Sequence, residues 1–116
     1  MQPSVYESLK DSFEKNFIDK DEDIKVWKSL FDEIVEKLES IEIEHGYVDI
    51  GFKKKIIDFN LCLNDEWFMS IAKTLDDESE EVMFTIDKDG KTLLIGCSSI
   101  DDVLSKYNEL KQGASI

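Results

Sequence analysis

The chain contains no arginine: all 14 basic residues among its 116 are lysines. Lysine is a compact point charge, whereas the planar guanidinium fork grips phosphates and base edges in pairs of hydrogen bonds, so nucleic acid is not an expected ligand. Histidine is nearly absent too. His45 is the whole supply of imidazole, and the two cysteines, Cys62 and Cys97, lie far apart with no CxxC spacing. A zinc site needs roughly three or four such ligands converging, so no metal is expected, and two thiols in apolar segments read as buried and reduced. The five glycines, at 46, 51, 90, 96 and 113, never fall into GxGxxG or GxxxxGK[ST]. Without those loops there is no cradle for a nucleotide, and no cofactor is expected. No apolar run approaches the ~20 residues of a membrane span, and the opening MQPSVYESLKDSFEK lacks the basic start and apolar middle of a secretory signal. The expectation is a cytoplasmic protein with no membrane contact.

What remains is acid and core. The 27 Asp and Glu residues give a net charge of −13, while 41% of the chain is hydrophobic and 10% aromatic. That apolar content suffices to bury a core, so the charge does not imply disorder, and residues 1–116 read as a single domain.

Hydrophobic period divides the chain. Val5, Leu9, Phe13 and Phe17 share a stripe, and Ser4 with Glu7 has capping-box spacing, so the first helix is expected over about residues 4–16. The acidic linker from Asp19 to Asp23 places negative charge at the start of a second helix, whose Ile24, Trp27, Phe31, Ile34 and Leu38 recur at intervals of three and four. From Ile41 the period becomes two, switches parity near Gly46, and so predicts a strand with a bulge or turn at that glycine. Ile57, Phe59, Leu61 and Leu63 form the clearest strand, and the run from Trp67 to Ala72, apolar on both parities, reads as a central or doubly covered one. DDESEE, residues 76–81, is a charged loop. Val82, Phe84 and Ile86 resume the alternation, Asp87–Lys91 is a hairpin turn with Gly90 at positive φ, and residues 93–97 return. Ser98 or Ser99 caps a last helix ending at Gly113. Short connections cannot support parallel crossovers. The fold class is therefore α+β: two N-terminal helices, a four- or five-stranded mainly antiparallel sheet and a C-terminal helix, with the helices packed on one sheet face.

The chemistry search returns nothing catalytic. His45 has no nucleophile elbow near it, and the alternating Asp19, Asp21 and Asp23 fail as a calcium loop because Ile24 stands where glycine belongs and Leu30 where glutamate belongs. Lys53-Lys54-Lys55, the one basic run, reads as a solvated turn. No enzyme is expected. Clustered acids instead steer association with a basic protein. The expected function is a small acidic protein-binding module of the immunity or antitoxin type, an inhibitor that covers the active cleft of a basic toxin or nuclease domain, itself a monomer or weak dimer. The candidate contact residues are Glu33, Glu36, Asp76, Asp77, Glu78, Glu80 and Glu81, with Tyr47 as an aromatic anchor. A secretion-type chaperone for a protein client and a mimic of the DNA phosphate array are the alternatives.

Overall fold

The computed structural model describes residues 1–64 and 66–113. In chain order they form α1 (Pro3–Lys15), α2 (Ile24–Leu38), β1 (His45–Gly51), β2 (Ile56–Cys62), β3 (Trp67–Thr74), β4 (Glu81–Lys88), β5 (Lys91–Ser99) and α3 (Ile100–Gly113). The five strands lie side by side in sequence order, every neighbouring pair antiparallel. β3, the run apolar on both parities, is the central strand.

Each helix buries the stripe its period predicts. Val5, Leu9 and Phe13 of α1 are buried, as are Trp27, Leu30, Phe31, Ile34, Val35 and Leu38 of α2. Phe13 stacks on Phe31 at 4.7 Å between ring centroids, and Phe31 stacks in turn on Phe59 of β2 at 5.7 Å. This aromatic column joins both helices to the sheet. The Asp23 carboxylate caps α2 by accepting from the Lys25 amide at 3.0 Å.

Several local expectations are corrected. α1 begins at Pro3, whose fixed φ suits the first helical position, so Ser4 already lies inside the helix and no Ser4–Glu7 capping box forms. Ile24 opens α2 at the rim of the core and is 39% exposed. Ile41 and Ile43 are buried in a linker that is not strand, and β1 starts only at His45. The change of parity is therefore a change of structure, and β1 pairs with β2 without a bulge. Gly46 has a different role: a Cβ there would sit 2.8 Å from the Asn60 carbonyl oxygen and 3.2 Å from Leu9 Cδ2, so α1 can approach only a glycine. Gly113 ends α3 without the left-handed conformation of a glycine cap, which among the glycines only Gly90 adopts. At the β4–β5 turn Asp89 and Gly90 both have positive φ, the signature of a two-residue type I′ hairpin, and the bulge follows it in the strands, beside Ile86 and Asp87.

The alternation along the strands separates two faces. Val48, Ile50, Ile57, Phe59, Leu61, Trp67, Met69, Ile71, Val82, Phe84 and Ile86 point to the buried side, where α1 packs on β1 and α3 on β4 and β5. Trp67 meets Tyr107 of α3 edge-on at 5.5 Å. The Ser99 hydroxyl caps α3 by accepting from the Asp102 amide at 3.2 Å. No helix among the described residues is long and apolar enough to cross a membrane.

The two edges of the sheet differ. β1 is sealed by α1: Ser12 Oγ accepts from the Val48 amide at 2.8 Å, Asn16 Nδ2 donates to the Val48 carbonyl at 3.1 Å, and Asn16 Oδ1 accepts from the Ile50 amide at 3.2 Å. Side chains of a helix thus take the place of a sixth strand. β5 has no such cover among the described residues, and most of its residues are exposed.

Candidate protein-binding surface

The helices leave one sheet face open. Across it the register aligns Tyr47, Asn60, Ser70, Thr85 and Ile95 in one row, and Asp49, Asp58, Ala72, Met83 and Cys97 in the next. At the usual strand spacing a row spans about 19 Å. Tyr47 is 54% exposed, Met83 47% and Ile95 74%, so apolar side chains stand in solvent along the face.

Carboxylates gather at one end of it. Asp49 and Asp58 are cross-strand partners, and burial together with the Asp49 charge pushes the Asp58 carboxyl above its usual range. Glu81 begins β4 on the same side, and its carboxylate lies 3.6 Å from Cys97 Sγ. Partial desolvation and that carboxylate push the Cys97 thiol up. The loop between β3 and β4 supplies Asp76, Asp77, Glu78 and Glu80, all exposed.

This loop is held in shape from below. Lys73 ends a buried row of β3, and its Nζ donates to the carbonyls of Asp77, at 3.1 Å, and of Ser79. The Asp77 carboxylate accepts from the Ser79 amide at 2.9 Å, which holds its pKa below the usual carboxylate range. Asp76 pairs with Lys55 at 3.1 Å, and the Leu75 amide donates to the Lys55 carbonyl. One member of the basic run is therefore engaged by the acidic loop, while Lys53 and Lys54 stay exposed in the β1–β2 turn. A buried lysine beneath an acidic loop has no sequence signal beyond its place on the apolar parity of β3.

The structure thus brings Asp76, Asp77, Glu78, Glu80 and Glu81 together at one end of the sheet. Tyr47 stands on the open face in the adjoining row from Asp49 and Asp58. Glu33 and Glu36 are exposed on α2, in the helical layer on the other side of the sheet. These two do not join the rest.

The cysteines are not buried as expected. Both fall on the outward parity, Cys62 half-buried and Cys97 exposed, and both are free. β3 and β4 separate their strands. The register does place His45 opposite Cys62, a thiol and an imidazole on neighbouring strands that sequence distance conceals. The thiol donates to the Asn64 carbonyl, however, so the two are not assembled as nucleophile and base. Among the described residues no group of three or more His, Cys, Asp or Glu side chains could hold a metal ion. A groove of about 970 Å³ runs between the N-terminus, the α2–β1 linker and the end of α3, lined by Glu39, Glu42, Glu44, Asn64, Tyr107 and Lys111 among others. Burial and Glu42 push the Tyr107 hydroxyl up. No family model, curated protein or solved structure matches the chain.

Proposed function

We propose that this protein binds a basic protein domain through the open face of its sheet and inhibits it by covering its functional cleft, as an immunity or antitoxin protein does. The observation that carries the reading is the arrangement of that face, exposed apolar side chains bordered at one end by a preshaped acidic loop. Specific interfaces combine an apolar centre with a charged rim, and the pattern Tyr47, Met83, then Asp49, Asp58 and residues 76–81 has that composition. Fixing the loop beforehand lowers the entropy cost of docking, because its backbone is already held by Lys73. The net charge of −13 attracts a basic partner from a distance and repels DNA, RNA and anionic membrane surfaces.

The mechanism is steric and electrostatic. Steered encounter aligns the partner's basic cleft with the acidic end, and Tyr47 then anchors the apolar contact. No bond is made or broken. The test is capture of partners from the protein's own cells at low salt and elution in a salt gradient, followed by binding of the purified partner to variants. A single basic protein released stoichiometrically by salt, whose affinity falls at least about tenfold in E78K/E80K and in Tyr47→Ala, is the expected result. Binding indifferent both to salt and to these substitutions would overturn it, and so would a client held through apolar contacts alone, the behaviour of a chaperone.

A further inference from the structure

We propose that two copies of this chain pair antiparallel through the open edge of β5, joining their sheets into one of ten strands. The first ground is the contrast between the edges. A bare edge strand presents unpaired N–H and C=O groups, and natural sheets blunt it with a covering element, charges, proline or a bulge. β1 has its cover in Ser12 and Asn16. β5 is nine residues long, contains no proline and no acid, and carries its only charge, Lys91, at its first position. Its bulge lies next to the hairpin turn, which leaves Leu94–Ser99 in regular register. This strand is built for pairing.

Its side chains point the same way. On the outward face Ile95 is 74% exposed and Leu93 46%, while on the inward face Leu94 is only half-buried and Gly96 exposed. The strand therefore stands at the margin of the helical layer, with apolar groups at least partly uncovered on both sides. A neighbouring strand would cover them.

Charge permits a copy as the neighbour. At the hairpin end Lys88 and Lys91 stand with Asp87 and Asp89 and balance them, while at the opposite end Asp101 and Asp102 are paired with Lys37, at 3.4 Å, and Lys106, at 2.9 Å, which leaves Glu81. Antiparallel pairing about a two-fold axis therefore gathers little like charge, on a chain whose net charge of −13 otherwise works against self-association. The stretch between those ends is uncharged, so no like charges face each other across the new ladder.

Light scattering and sedimentation equilibrium of the full chain test the proposal. The expected mass is twice 13.4 kDa. Ile95→Lys, at a site so exposed that the monomer's fold does not depend on it, should raise the dimer dissociation constant at least about tenfold by placing a charge in the seam on each copy. Tyr47→Lys, on the same face but four strands from the edge, should leave the dimer intact. Far-ultraviolet circular dichroism of each variant shows whether the fold survives, and hydrogen exchange should show β5 amides gaining protection as concentration rises while β1 amides do not change. A wild type that stays monomeric at millimolar concentration overturns the proposal. So does a dimer that survives Ile95→Lys with the fold intact, or one lost in Tyr47→Lys, which would mean that faces rather than edges meet.

Discussion

Two residues in the sheet owe their identity to what stands opposite them. Asp58 lies across from Asp49, half-buried, with its carboxyl pushed above the usual range by burial and by that like charge. The folded state therefore binds the Asp58 proton more tightly than the unfolded chain does. Above the folded pKa the charge costs stability, and as pH falls through that value toward the ordinary carboxylate range the cost disappears. Asp58→Asn should accordingly stabilise the protein by about 0.5 kcal/mol at neutral pH, with the gain fading in mild acid; urea titrations of both proteins at several pH values will show it. Gly46 is opposed by backbone. Because a Cβ there meets the Asn60 carbonyl oxygen at 2.8 Å, Gly46→Ala should cost about 1–3 kcal/mol, read from the same titrations. Lys73 acts on a loop rather than on the core. Lys73→Met keeps the apolar stem and removes the donor to two carbonyls, so exchange of the Ser79 amide should quicken by about tenfold while the midpoint of unfolding moves little.

Among the elements, α1 has two tasks: its apolar stripe fills the core and its Ser12 and Asn16 close the edge of β1. Asn16→Ala removes two hydrogen bonds to strand backbone, and the expected outcome is a loss of about 1–2 kcal/mol with faster exchange at Ile50, measured by nuclear magnetic resonance. The apolar stripe of α1 was legible in the chain, as were α2, β2, the central β3, the Asp89-Gly90 turn and the acidic loop, because each follows a local period or turn chemistry. The sealing of β1 was not. Ser12 and Asn16 read as ordinary polar residues of a helix, and their use depends on β1 lying beside them in space. Likewise Ile41 and Ile43 mimic a strand because a buried linker and a strand both alternate when one side of the chain faces the core. Leu93 and Ile95 read only as part of a return strand, and no local pattern shows that β5 stands at the margin of the helical layer and leaves them exposed. Of the candidate contact residues, the five acids between Asp76 and Glu81 are close in sequence and so remain together in space, Tyr47 shares the open face with them, and Glu33 and Glu36 are separated from both by a layering that no local pattern encodes.

At the scale of the whole molecule, a surplus of 13 negative charges works against compactness. Salt should relieve it: raising sodium chloride from about 0.05 to 0.5 M, which shortens the screening length from roughly 14 to 4 Å, should raise the midpoint of thermal unfolding by several degrees, whereas the same change should weaken attachment to a basic partner. Calorimetry and titration of the complex measure the opposing trends. The closure of β1 by α1 also governs how far the chain can polymerise. A sheet with two bare margins adds subunits without end, in the manner of a fibril, but a chain with one closed margin has only one place to join another and its growth stops at a pair. Ser12 and Asn16, with three polar contacts on a single strand, are thus what denies another chain the β1 margin.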